Sequence, residues 1–137
     1  MPVKIRGTDF VMFEVSDLAE AVRFYRDVLG LTQEIYSEQY QWAEFNCGNV
    51  TLTLKGGVPP TAIASGARIA LAVADIQLTY EELKLKGVPL AGPPQDHGCC
   101  QHLEVHDPDG HVVILHHRAD GTFGQPSRGA APGAAPA

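Results

Sequence analysis

The chain repeats itself. Phe10-Val-Met-Phe-Glu-Val-Ser-Asp17-Leu18 is echoed by Arg68-Ile-Ala-Leu-Ala-Val-Ala-Asp75-Ile76 at an offset of 58 residues, and each copy is an alternating run that leads into a helix-start signal. After the first copy Leu18, Val22, Tyr25 and Leu29 follow a helical apolar stripe. Asp17 and Glu20 have capping-box spacing, and Gly30 is placed to end the helix. After the second copy Ile76, Tyr80 and Leu83 repeat the stripe and Gly87 ends it. β-like segments follow each helix, at 32–37, 41–47 and 50–55 and then at 88–91, 100–106 and 111–117. The expected architecture is therefore α+β, with a βαβββ module used twice, at about 8–55 and about 67–117, within one domain over 1–117. Residues 118–137, rich in Ala, Gly and Pro, have too little apolar surface to offset the entropy of ordering them, so they read as a disordered C-terminal extension rather than a docking tail.

Strand alternation then assigns each side chain to a face. One parity is apolar throughout: Val11, Phe13 and Val15; Phe45 and Cys47; Val50, Leu52 and Leu54; Ile69, Leu71 and Val73; Leu103 and Val105; Val113 and Leu115. That set is expected beneath the helices. The other parity mixes Phe10, Met12, Glu14, Trp42, Glu44, Thr51, Thr53, Arg68, Ala70, Ala72, Cys100, His102, Glu104, Ile114 and His116. A face of that composition is either solvated or lines a cavity, and the repeat favours an incomplete barrel, a cup with the mixed face inward and the helices outside.

Composition removes several function classes. With 16 acidic against 10 basic side chains the formal net charge is −6, and no Lys/Arg cluster is present to neutralise a phosphate backbone, so nucleic acid is not an expected partner. No apolar run approaches the roughly 20 residues of a membrane span. Three cysteines, two of them adjacent at Cys99 and Cys100, and an N-terminus without the apolar core of a signal peptide fit a soluble protein of the reducing cytoplasm. Adjacent cysteines rarely close an unstrained disulfide, and the pair lacks CxxC spacing, so Cys99 and Cys100 are expected to be free.

These residues resemble the vicinal oxygen chelate superfamily, which contains glyoxalase I, extradiol dioxygenases, fosfomycin resistance proteins and bleomycin-binding proteins. The likeness runs over residues 8–117. It is carried by Val15-Ser-Asp-Leu18 leading to Phe24-Tyr-Arg-Asp-Val-Leu-Gly-Leu31, and by Asp107-Pro-Asp-Gly110 before the final strand. The resemblance implies paired modules forming a cup, commonly in a homodimer. It also implies, for metal-dependent members, four His, Gln or Glu ligands on the central strands. Carried over residue by residue, those four positions are Phe10, Thr53, Arg68 and Ile114 in this chain. None is a normal ligand, and a guanidinium would repel a cation. No metal and no cofactor is therefore expected at those positions.

The resulting expectation is metal-independent binding of a small, partly aromatic organic molecule in the cup, in the manner of bleomycin-resistance proteins. The ligand-binding candidates are Phe10, Met12, Trp42, Glu44, Thr53, Arg68, His102, Glu104, Ile114 and His116. Arg68, if buried, needs a carboxylate from among Glu14, Glu44 and Glu104, or an anionic or carbonyl group of a ligand. A second expectation is a glyoxalase-like lyase or isomerase, or a dioxygenase-type enzyme, with a relocated metal or acid–base site at His102, Glu104 and His116. A third is an interaction module whose cup is filled by its own side chains. His106 and His111 flank the Asp-Pro-Asp-Gly turn, and His117, on the helix-facing side near a strand end, is expected to be frayed or solvated.

Overall fold

The computed structural model describes residues 2–64 and 66–125. The chain divides into two compact units, Met1–Ser65 and Gly66–Ala137. Each contains one open four-stranded sheet and one principal helix, so the α+β class and the doubled βαβββ order read from the sequence are both present.

In the first unit the order is β1 (Phe10–Glu14), α1 (Leu18–Arg23), β2 (Thr32–Ser37), β3 (Trp42–Asn46) and β4 (Thr51–Lys55). The sheet order is β1-β4-β3-β2, with β1 parallel to β4 and the other pairs antiparallel. Asp17 caps α1 by accepting the Glu20 N–H at 3.1 Å, which satisfies one of the first-turn donors. From Phe24 to Val28 the helix widens to a π turn, closed by the Leu29 N–H to the Phe24 carbonyl at 3.1 Å, a local loosening that 3.6-residue periodicity does not reveal. The turn leaves Phe24 and Tyr25 both buried, their rings edge to face at 5.1 Å, with Tyr25 also 6.0 Å from Phe45. Gly30 then ends the run at φ +76°, a left-handed conformation that glycine adopts without a Cβ penalty. Phe13, Val15, Phe45, Leu52 and Leu54 are all buried on the helix-facing parity. Each such side chain contributes on the order of 1.5–3 kcal/mol.

The second unit runs β5 (Ile69–Ala72), α2 (Ile76–Leu85), β6 (Gln95–Asp96), β7 (Cys100–His106) and β8 (Val112–Arg118), in the sheet order β5-β8-β7-β6. Asp75 caps α2 through the Leu78 N–H at 3.0 Å. α2 packs against β7 and β8, and Ile76 and Leu83 of the helix are buried, as are Leu103, Val105, Val113 and Leu115 of the strands. Tyr80 is half-buried, with the Lys84 ammonium 4.9 Å from its ring centroid. The expected strand at 88–91 is absent, and the unit's second strand is instead the two-residue β6. Pro89, Pro93 and Pro94 account for the difference, since proline supplies no ladder N–H. Between β7 and β8 the buried Asp107 carboxylate accepts the Asp109 and His111 N–H groups at 3.0 and 2.8 Å, closing the Asp-Pro-Asp-Gly turn.

The expected tail requires a correction at its start. Arg118 is the last residue of β8, and residues 119–125 continue as an ordered strap. The Ala119 N–H bonds to the Cys99 carbonyl, and the Asp120 carboxylate takes both the N–H and the hydroxyl of Thr122, at 2.9 and 2.7 Å. Arg118 donates to Thr122 Oγ1 at 3.3 Å and to the Gln125 carbonyl at 2.9 Å. Local hydrogen bonding of this kind orders a segment that has little apolar surface of its own. The expectation for residues 126–137 lies outside the described residues.

Candidate functional site

The mixed face of the second unit holds an open pocket of about 930 Å³. Its origin lies in β5, which offers this face only Ala70 and Ala72. They lie beside Ile114 and His116 of β8, and two methyl groups are too short to fill the space above those larger neighbours. Register then sets His102 opposite His116 and Glu104 opposite Ile114 across β7 and β8. The strap supplies a further wall through Thr122 and Phe123, and the Phe123 ring is 70% exposed. Apolar surface with a few placed polar groups is the usual make-up of a small-molecule site.

The polar groups are tied in specific ways. His97 Nε2 and His102 Nδ1 lie 2.8 Å apart, with nearly parallel rings. Arg68 pairs with Glu104 at 3.0 Å, which selects one of its three candidate carboxylates. The Arg68 side chain, just before β5, is 54% exposed rather than buried, so the pair contributes only about 0–1 kcal/mol. His116 Nε2 is buried and has no hydrogen-bond partner among the described residues. Burial, followed by the neighbouring Arg118, His102, His117 and His97, holds the His116 ring below the ordinary imidazole value, so it is neutral at pH 7. His117 is not frayed: its Nδ1 lies 3.0 Å from the Val73 carbonyl, and the residue lines the pocket. His111 is buried and His106 exposed, and neither lines the pocket.

Of the ten candidate residues, the second unit therefore gathers His102, Glu104, Ile114 and His116, with Arg68 joined through its ion pair. The other five share one face of the first unit's sheet. Met12, Thr53 and Glu44 form a row across β1, β4 and β3, and the Trp42 indole N–H donates to Glu44 at 2.8 Å. Phe10 is 52% exposed at the start of β1, whereas Thr53 is 1% exposed and its hydroxyl has no partner among the described residues. Sequence reading missed the strap, and with it Thr122, Phe123 and Arg118. The available signal was the Asp120-Gly-Thr122 turn chemistry, directly after the last strand and followed by a lone aromatic.

The residues do not fit the divalent metal that the family likeness implies. Phe10 and Ile114 have no lone pair, Thr53 offers one neutral hydroxyl, and Arg68 is a cation engaged by Glu104. Nor do His102, Glu104 and His116 assemble a replacement: among the described residues no three His, Cys, Asp or Glu side chains are grouped so as to hold a metal ion. None of the three cysteines is in a disulfide among the described residues, and Cys99 and Cys100 Sγ lie 3.6 Å apart. Burial pushes the Cys47 and Cys100 thiols up, away from the thiolate form that attacks or ligates. No helix among the described residues is long and apolar enough to cross a membrane.

Comparison with known proteins agrees with this architecture. The chain is 32% identical, over an alignment of 118 positions that covers 82% of this chain and 84% of the relative, to the metallothiol transferase FosB of Staphylococcus haemolyticus strain JCSC1435. It is 30% identical to a probable lactoylglutathione lyase of Synechocystis sp. strain PCC 6803, over 76% of this chain and 89% of that one. Among solved structures, TnmS3, an antibiotic binding protein from Streptomyces sp. CB03234, superposes with a TM-score of 0.73 at 22% identity. That likeness covers 86% of this chain and all of TnmS3, and it speaks to the fold alone. A sequence model of the Glyoxalase/Bleomycin resistance protein/Dioxygenase superfamily matches residues 7–115, and with the doubled βαβββ fold this places the chain in that superfamily.

Proposed function

We propose that this protein binds a small, partly aromatic organic molecule without a metal, sequestering it rather than transforming it, and that the pocket of the second unit is where the molecule sits. The observation that carries this reading is the replacement of the family's ligand set by Phe10, Thr53, Arg68 and Ile114, while a pocket of about 930 Å³ persists beside His102, Glu104, Ile114 and His116. On this reading Phe123 and Ile114 supply apolar contact, and the imidazoles orient the ligand's polar groups. The test is calorimetric titration of purified protein with a panel of flat antibiotics and aromatic acids, alongside metal analysis. Binding that persists after chelator treatment, with shifts of the His102 and His116 ring resonances and the ligand recovered unchanged, supports the proposal. Near-stoichiometric metal that is required for binding overturns it.

A second reading is favoured by one observation, the neutral His116 bordering the pocket, because a neutral imidazole is a competent proton acceptor. On that reading the protein is a lyase or isomerase with His116 as the base. Chemical conversion of the bound molecule, lost in His116→Gln, separates it from sequestration. A homodimer in solution is the assembly proposed from family likeness, and sedimentation equilibrium tests it.

A further inference from the structure

Resting on the binding reading, we propose that the pocket selects an aromatic anion, a flat ring bearing a carboxylate, phenolate or sulfonate, with the hydrogen-bonded His97–His102 pair as the receiver of its charge. The first argument is the charge inventory of the lining. Glu104 is the one carboxylate among the described lining residues, and Arg68 already engages it at 3.0 Å. A cationic ligand would have to displace that guanidinium. An anion instead meets His102, His116, His117 and Arg118, whose hydrogen bonds go to a hydroxyl and a carbonyl, with the Asp120 carboxylate close enough to interact with its charge but bonded to Thr122 and outside the lining.

The second argument is the chemistry of the pair. A separation of 2.8 Å between His97 Nε2 and His102 Nδ1 requires one proton between them. In the neutral pair one of the two outer nitrogens, His97 Nδ1 or His102 Nε2, is therefore a donor and the other a lone pair. One added proton keeps the central bond and makes both outer nitrogens donors, whereas a second would force two N–H groups against each other. The pair is thus built to carry a single positive charge. The charged and titratable groups near it include Asp96, Glu104 with Arg68 bonded to it, Arg118 and the His116 ring on β8, and the Cys100 thiol. His116, whose buried Nε2 has no acceptor among the described residues, is a poor place for that proton. Phe123, largely exposed on the strap, and the half-buried Ile114 offer the ring its apolar surface.

Matched probes decide the matter on the unmodified protein. Naphthalene-2-sulfonate, its neutral sulfonamide and 2-naphthylmethylammonium share one ring system and differ in charge. The sulfonate is expected to bind about tenfold or more tighter than the sulfonamide at pH 6, read by calorimetry. In His102→Gln and in His97→Gln the gap between the two probes is expected to disappear while sulfonamide binding persists. Equal affinity for sulfonate and sulfonamide, or a preference for the ammonium, overturns the anion proposal and leaves the binding reading intact. Failure of all three probes at millimolar concentration overturns both.

Discussion

The strap after β8 gives the sharpest test of the pocket's construction. Replacing Arg118 by Met keeps the aliphatic stem and removes the two guanidinium bonds, to Thr122 Oγ1 at 3.3 Å and to the Gln125 carbonyl at 2.9 Å. The shorter bond has good length and a charged donor but is exposed, so it is worth about 1–1.5 kcal/mol; the longer, part-buried one is worth about 0.5 kcal/mol. Their loss raises the local opening constant of residues 119–125 about tenfold to thirtyfold, since each 1.4 kcal/mol is a factor of about ten. Amide hydrogen exchange reads this directly. The Gly121 N–H, bonded to the Arg118 carbonyl, and the Thr122 N–H, bonded to Asp120, are expected to exchange faster by that factor. Amides of the paired β7 and β8 core around Leu103 and Leu115 are expected to be unchanged. Exchange at Gly121 and Thr122 within about twofold of the parent protein would refute the guanidinium as the strap's anchor.

Three further outcomes are expected. Thr53→Val removes a buried hydroxyl that has no partner among the described residues, so stability should rise by about 1 kcal/mol in urea unfolding; a loss would show that the hydroxyl is satisfied. Asp75→Ala removes the α2 cap at Leu78 and should cost about 1 kcal/mol by the same assay, and no change would mean that the cap is dispensable. The depressed value of His116 means that the unfolded chain binds its proton more readily. Stability is therefore lost as pH falls below the ordinary 6.5 and levels off beneath the folded value. His116→Gln should flatten that acid limb, and identical pH slopes in the two proteins would place the acid sensitivity elsewhere.

Much of the fold was legible because its causes are local. Asp17 and Asp75 cap the helices, Gly30 and Gly87 end them, and strand parity separates the buried Phe45, Leu52 and Leu54 from the mixed face. Departures arose where local signals compete or are silent. Apolar Val88 and Leu90 suggest a strand, but the neighbouring prolines withhold the N–H groups it needs. The strap is held by side-chain bonds from Arg118 and Asp120, which leave no hydrophobic period to read. The site was half legible. Parity placed His102, Glu104, Ile114 and His116 on one face, yet only register shows that His102 meets His116 and that two alanines leave room above Ile114. Parity also carries no depth, which is why Arg68 emerged half-exposed.

The strand order within each unit bears on how the chain folds as it is made. Every sheet pairing of the first unit closes between Phe10 and Lys55, and every pairing of the second between Ile69 and Arg118. β1 must wait for β4, its parallel partner, and such non-local pairing is the slow step in forming a small sheet. During synthesis, however, that wait ends once residue 55 has emerged, before any strand of the second unit has emerged, so the first sheet can close without competition from later strands.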